Sequence, residues 1–387
     1  MNSKQFETAK MCLKVVTPIN IADGIVLGAK DYLYDSRRQK VFFLNLHQWH
    51  MFIYKHMLLE KYESYLANFR DKQSLLEWLR MQGYDIDDVR TVITSEALAT
   101  VNLMDSERKK TLNDINRHIQ QPDGSLYVPG SSIKGVFRTA ILYSLLQKRQ
   151  DIKVKYWRQI QEKISSNYFK PYRDFNKLIS DLENELLHTL RLLDGNIRSN
   201  NAVCSAMRGL QVSDTYASRN MQTAILQKVD GGFDKFGKAS PKKLPIFREC
   251  MLPKAELFFD VKVEKAVMNT IGINSVDDLL KATHSFFAAV TDLLQQAFGK
   301  EYQEAFQGVA AGNMFLGGNT GFLSKTLLAM LAPDKDTAKN TIKVLLDKSF
   351  KNHKHLLRDK VIAPRTLKCT NYNGKLMLMG VAEVRKV

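Results

Sequence analysis

The chain predicts an α+β protein built from two related halves. Three observations lead there. Residues 254–265 (KAELFFDVKVEK) alternate apolar and polar with the period of a half-buried strand. Residues 47–96 and 276–298 instead repeat their apolar side chains at threes and fours, the period of a helix. Each half also carries a glycine-bearing turn that opens onto a helix, at Gly130 and at Gly317–Gly321, which sets the boundary between halves near residue 205.

Taken in order, residues 10–17 (KMCLKVVT) form a first strand that Pro18 ends, and Asn20 to Gly24 supply a turn. Residues 39–46 (QKVFFLNL) are β-branched and aromatic and are expected to pair with that first strand. From His47 to Glu96 the helical period takes over, with Phe52, His56, Leu59 and Tyr62, then Leu75, Leu76 and Leu79, and Gly83 as a stop. This is a helical insertion, which fills the interval to about residue 120. Residues 126–128 return to strand. Pro129 excludes Val128 from the helical region, and Ser131 or Ser132 caps the helix that follows, whose stripe is Val136, Ala140, Ile141 and Leu145. Residues 148–173 are dense in cations and aromatics, residues 174–193 form another helix, and Asp194-Gly195-Asn196 breaks it.

The second half begins with a strand near Leu210. Lys228–Leu244 is rich in Gly, Lys and Pro and is expected to be a loose loop. The strand at 254–265 and helices at 276–298 and 301–309 follow. Then come the Gly/Asn loop at 312–321, helices from Leu323 and over 337–349, and a final strand in LMLMGVAEVRKV.

Composition narrows the function. The 387 residues include 57 Lys+Arg against 40 Asp+Glu, a formal charge of +17. So large an excess of cation repels itself in a compact chain and points to a polyanionic partner. No Lys/Arg-rich amphipathic helix with an apolar aromatic face favours a membrane surface, which leaves nucleic acid. Cys12, Cys204, Cys250 and Cys369 lie far apart without a CxxC pair, so neither a disulfide framework nor a thiolate metal site is expected. The N-terminus lacks an apolar signal region and no run of apolar residues is long enough to span a bilayer, so the expected location is cytoplasmic.

The motif with the most chemistry is YVPGSSIKGVFRTAIL, residues 127–142. Lys134 and Arg138 are four apart and share one helix face, beside a helix start with two hydroxyls and free N–H groups. It is not a nucleotide-binding P-loop, because Val136 and Phe137 stand where Lys and Ser/Thr are required. Nor is GGNTGFLSKT, residues 317–326, where Lys325 lies four beyond Gly321. No cofactor is expected.

Seven blocks together resemble the RAMP proteins of type III CRISPR effector complexes. They are VVTPINIADG, KDYLYDSRRQKVFFL, YVPGSSIKGVFRTAIL, LQVSDT, LPIFRECMLPKAELFFDV, LGGNTGFLSKT and APRTLKCTNYNGKLMLMG, in family order along the whole chain. GGNTGFLSKT combined with APRTLK is similar to the type III-A (Csm) subunit that caps the crRNA 3′-end side. The resemblance implies two ferredoxin-like (RRM-like) RAMP domains with helical insertions and glycine-rich loops, over residues 1–205 and 206–387. It implies a non-catalytic, architectural RNA-binding role: gripping guide RNA (crRNA), docking on the terminal backbone subunit, meeting target RNA, and promoting 3′-end trimming by host nucleases.

On that reading the RNA contacts go to phosphate and ribose, since one protein serves every guide sequence. The residues expected to make them are Gly130, Ser131, Ser132, Lys134 and Arg138; Gly317, Gly318, Asn319, Thr320, Gly321, Ser324 and Lys325; Arg365 and Lys368; and Asn20 and Asp23. The rival class is an endoribonuclease using His353 and His355 with Asp359, or His47 with His50, with or without a metal; another type III RAMP subunit is the third alternative. His353 and His355 sit among lysines, and a solvated basic loop is the simpler account.

Overall fold

A computed structural model describes residues 5–68, 73–99, 112, 114–166, 168–191, 201–217 and 221–387. The break expected at Asp194–Asn196 lies outside the described residues, as do residues 100–111 of the insertion.

Two sheets organise the chain. The first contains β1 (Phe6–Val15), β7 (Leu210–Val212), β8 (Tyr216–Ala217), β11 (Glu256–Glu264), β12 (Met314–Phe315) and β15 (Val381–Lys386), in the order β12-β15-β1-β11-β7. Helix α4 (Gly130–Lys148) lies between β1 and β7 in sequence, and α7 (Val276–Phe298) between β11 and β15. Stripped of its edges, the sheet is β15-β1-β11-β7 with every neighbour antiparallel. That is the last, first, third and second strand of a β-α-β-β-α-β series, a ferredoxin-like unit. It draws strands from both sides of residue 205. The alternation that made 254–265 legible puts Leu257, Phe259, Val261 and Val263 on one buried face, beside Met11, Leu13 and Val15 of β1. Helices α4 and α7 pack together within the same core, where Phe137, Ile141 and Val290 are buried and Tyr143 meets Phe286 at 5.5 Å.

The second sheet runs β2-β6-β10-β9-β5-β4-β3. Its strands are β2 (Ala22–Leu27), β3 (Tyr32–Asp35), β4 (Lys40–Leu44), β5 (Ile93–Ala99), β6 (Ile115–His118), β9 (Thr223–Gly231) and β10 (Lys242–Met251). Strand β9 pairs β10 on one side; on the other it pairs β5 near its start and β13 (Leu367–Tyr372) near its end. A hairpin partner, β14 (Lys375–Leu378), completes it. Helices α1 (Leu46–Lys55), α2 (Leu59–Ala67) and α3 (Leu75–Met81) close around a separate aromatic core of Trp49, Tyr62, Tyr65 and Trp78. Asn45 caps α1, and Ser74 with Glu77 forms a capping box on α3. Helices α5 (Gln150–Ser165), α6 (Pro171–Leu187) and α8 (Lys335–Ser349) cover the first core.

Several expectations need correction. The strand at 39–46 pairs β3 and β5, not β1, because the turn with Gln39 in the left-handed region closes a local hairpin. The helical period stops at Val92: Ile93–Ala99 is strand β5, and β6 also falls within the 47–120 interval. Residues 126–128 make a single bridge through Leu126, and Val128 bonds Thr215 instead of a strand. Of Lys228–Leu244, the loop expected, residues 232–241 lie outside the strands, while Lys228–Gly231 and Lys242–Leu244 are the ends of β9 and β10. Residues 301–309 form 3-10 turns, and the expected single final strand at 376–387 is split between the end of β14 and β15. Helix α7 has the bounds read from its period. Among the described residues no helix is long and apolar enough to cross a membrane.

Candidate RNA-binding site

The first motif is firmly built into the core. Helix α4 begins at Gly130, with Pro129 rather than a serine at the cap, and neither Ser131 nor Ser132 makes a capping bond. The Gly130 N–H donates to Asp214 Oδ1 at 2.7 Å, so a carboxylate already occupies the helix start. A Cβ at Gly130 would meet the Val212 carbonyl oxygen at 2.3 Å, which is why the residue is glycine. Lys134 donates to the Leu210 carbonyl at 2.6 Å, and burial pushes its pKa down. Arg138 pairs with Glu183 of α6 at 3.3 Å. The buried stripe includes Ile133, Phe137, Ala140, Ile141 and Leu142, so Ala140 and Ile141 of the expected stripe are buried, while Val136 and Leu145 are half-buried.

The second motif stands differently. Gly317 and Gly321 adopt φ of +87° and +93°, and Asn319 is also left-handed at +59°. A Cβ at Gly317 would sit 2.3 Å from the Asn20 carbonyl oxygen, which accepts the Gly318 N–H at 2.7 Å. Asn20 is fully buried; its amide donates to the Glu249 carbonyl at 2.8 Å and its Oδ1 accepts from Arg248 at 3.1 Å. Asn20 is therefore the post on which the loop stands. Thr320 and Ser324 are buried in the turn, where Ser324 donates to the Thr320 and Gly321 carbonyls, and Asn319 contacts Met379 Sδ.

Around this loop the structure gathers cations from four segments. Arg248 of β10 lies beside Gly318, and Lys368 of β13 packs against Gly321. Lys368 donates to Asp230 at 2.9 Å, and Lys228 of β9 stands 3.8 Å from the same carboxylate. Burial, then Lys368, push the Lys228 pKa down, with Arg248 adding to it. The Lys325 side chain reaches solvent, yet the protein around its ammonium, followed by Arg248, lowers its pKa too. Arg248 itself is held low by burial, and its Nε is buried with no hydrogen-bond partner among the described residues. Four cations gathered near one loop, with Asp230 the carboxylate that pairs with two of them, is an arrangement that an anion would relieve.

The two motifs approach each other across a groove of about 470 Å³, whose walls include Thr139 of α4, Glu183 of α6, and Phe322 and Lys325 beyond the glycine loop. Other expected residues stand apart. Asp23 pairs with Arg117 at 2.7 Å, and Arg365 pairs at 2.8 Å with Asp359, which is fully buried and also holds His355. Arg248 and Lys228 were not expected. Their signal was weak: for Arg248, a cation followed by a carboxylate, Arg248-Glu249, between the apolar pairs Ile246-Phe247 and Cys250-Met251 of a strand. On the exposed face of the ferredoxin-like sheet, Tyr216 lies near Phe258 and Lys10, but Arg385 pairs with Glu256 across the strands and leaves little free charge.

A ferredoxin-like unit with glycine-rich loops and a cationic loop end is the class of structure the chain presents. Residues 12–321 match the model of the RAMP superfamily, and the chain belongs to that superfamily. It is 26% identical over 396 residues to the CRISPR system Cms protein Csm5 of Mycobacterium tuberculosis (strain CDC 1551 / Oshkosh), covering 98% of this chain and 97% of the relative. The Csm5 of Enterococcus italicus is 23% identical, with 88% of this chain and 85% of the relative covered. Among solved structures, a chain of a cryo-EM Csm–crRNA–target RNA ternary complex of a type III-A CRISPR–Cas system superposes with a TM-score of 0.65 at 18% identity, covering 98% of this chain and all (100%) of that one. The crystal structure of T. onnurineus Csm5 gives 0.58 at 19%, covering 96% and 99%.

Proposed function

We propose that the chain is the Csm5-type subunit of a type III-A CRISPR ribonucleoprotein. It grips the crRNA backbone at the Gly317–Gly321 loop, caps the 3′-end side of the complex, docks on the terminal backbone subunit, and promotes 3′-end maturation without catalysing cleavage. The observation that carries the RNA contact is the cluster of Lys228, Arg248, Lys325 and Lys368 around left-handed glycines, with Asp230 alone among the described residues ion-paired to it. Backbone amides freed by the glycines and point charges from the lysines recognise phosphate, and nothing in the loop reads a base. The full-length match to relatives named Csm5 supplies the assembly.

The rival endonuclease gains little from the geometry. His355 and Asp359 do bond, at 2.8 Å, but both are buried and Asp359 is also neutralised by Arg365, so the pair holds the local fold. Copurification of crRNA with the tagged subunit, followed by sequencing of crRNA 3′ ends with and without it, tests the proposal. Shorter, uniform 3′ ends only when the subunit is present are expected. Identical ends in both samples remove the maturation role, and loss of copurifying RNA removes the whole reading.

A further inference from the structure

Unpaired charge and exposed apolar surface coincide away from the glycine loop, in residues 350–361. Phe350, Leu356, Leu357 and Val361 are 52%, 47%, 74% and 55% exposed. Interleaved with them, Lys351, Lys354, Arg358 and Lys360 are all exposed and have no ion-pair partner among the described residues. The nearby carboxylates are taken. Asp347 accepts the Leu356 N–H at 3.2 Å, and Asp359 is fully buried between His355 and Arg365. Val361 also forms part of the wall of an apolar pocket of about 140 Å³, with Leu293, Ala297, Ala338, Ile342 and Ile362. A dry apolar cavity of about 150 Å³ accepts a group the size of a benzene ring.

We propose that this surface docks an acidic, amphipathic protein segment, which seats one aliphatic or aromatic side chain in the pocket and sets carboxylates against Lys351, Lys354, Arg358 and Lys360. Charge complementarity fixes the sign of the partner, since four free cations interleaved with four exposed apolar side chains repel a cationic occupant and attract an acidic one. The pocket fixes its kind. A phosphate backbone has no side chain to seat there, and single-stranded RNA stacks on free aromatic faces, whereas the Phe350 ring is already stacked on His353 at 5.5 Å. A bilayer surface favours a longer apolar helix face than the single turn His355–Arg358.

The inference rests on the reading of the chain as a subunit of a larger assembly, but not on the RNA site. The test uses the assembled ribonucleoprotein, purified through a tag on this chain, treated with carbodiimide before and after RNase digestion and analysed by mass spectrometry. Zero-length crosslinks from Lys351, Lys354 or Lys360 to Asp or Glu of another subunit, in a segment with apolar residues at helical spacing and surviving RNase, are expected. Leu357→Asp, on a side chain exposed enough to leave folding intact, should cut their yield on the order of tenfold. Lys354→Glu with Lys360→Glu should abolish them. Crosslinking of these lysines to RNA alone, binding of the free subunit to phosphatidylserine vesicles through Leu357, or unprotected lysines in an assembled complex would each overturn the proposal while leaving the crRNA reading intact. Failure of any subunit or RNA to copurify sinks both.

Discussion

The turn at Pro129–Gly130 and the turn at Gly317–Gly321 offer the same residue types: glycine for close approach, hydroxyls, and lysine or arginine on the helix beyond. What those groups touch differs. In the first, the helix start is bonded to Asp214, Lys134 to the Leu210 carbonyl and Arg138 to Glu183. In the second, Lys325 reaches solvent, Arg248 keeps a buried N–H unpaired, and two further lysines share a single carboxylate. A phosphate-binding signature in a sequence thus states a capacity, and the fold decides whether internal partners use it up. The first turn uses its polar groups to join α4 to β7, to Asp214 and to α6, whereas among the described residues the second leaves the Arg248 Nε without a partner.

The largest effect that separates the turns is backbone strain. Gly317→Ala puts a side chain at φ +87° and against the Asn20 carbonyl oxygen, so a loss of about 3–5 kcal/mol is expected from strain and overlap together. Gly130→Ala overlaps three backbone atoms of Val212 and Ser213 at 2.3–2.7 Å, where Gly317→Ala overlaps one, but it adds no left-handed strain, so its cost is overlap alone. Urea unfolding of the two variants ranks them. Equal losses would mean that the left-handed loop is not the more constrained of the two.

Beneath the second turn, Glu249 and His118 form a buried pair whose titrations oppose each other. Burial raises the Glu249 carboxyl from its ordinary 4.5 to about 7 and lowers His118 from 6.5 to about 4. Folded Glu249 keeps a proton that the unfolded chain releases, so its contribution to stability is lost as pH rises from about 4.5 to about 7. Folded His118 refuses a proton that the unfolded chain takes, so its contribution is lost as pH falls from about 6.5 to about 4. Over the shared window the two slopes nearly cancel. Glu249→Gln, whose amide oxygen can accept the His118 N–H while its NH2 donates to the Thr223 hydroxyl, removes one of them. Stability should then fall by roughly 3 kcal/mol between pH 6.5 and 4, where the parent is nearly flat. Urea midpoints across that range check it; a variant as flat as the parent would show that the pair does not titrate this way.

For RNA the comparison sharpens to two double variants. Arg248→Ala with Lys325→Ala should weaken crRNA binding by roughly tenfold per lost phosphate contact and reduce the salt slope by about 1.4, at about 0.7 per contact on single strands. Lys134→Ala with Arg138→Ala should change both far less, because those cations already hold Leu210 and Glu183. The reverse ranking in filter binding at several salt concentrations would return the RNA to the first turn.

Legibility in the sequence followed how local each cause was. Helix α7 was read to its ends because Ser275 caps it and its apolar period is unbroken, and β11 because its alternation is. The partners of β1 were not readable, since β11 and β15 reach it from more than 240 residues away, as the register Phe6↔Glu264 shows. The glycine loop was found from its composition, whereas Arg248 and Lys228 were missed because a cation on a strand gains meaning only from what the sheet sets beside it. Asn20 was expected to line an RNA groove; its burial against Glu249, Arg248 and Gly318 makes it the support of the loop instead.

The smallest expected effect bears on whether the first turn holds the fold through its charges at all. Arg138 and Glu183 meet at 3.3 Å on a half-exposed surface, where solvent screens the attraction and both side chains lose rotamer freedom. Arg138→Ala alone should therefore cost under about 1 kcal/mol, mostly removed by added salt, while leaving crRNA affinity within roughly twofold. The bond from Lys134 to Leu210 is shorter and more buried, so it should account for more of the double variant's loss of stability. A large, salt-insensitive loss on Arg138→Ala would mean that α6 is held to α4 chiefly by this pair. The apolar packing of Leu178, Leu182 and Leu186, all buried, argues for the weaker dependence.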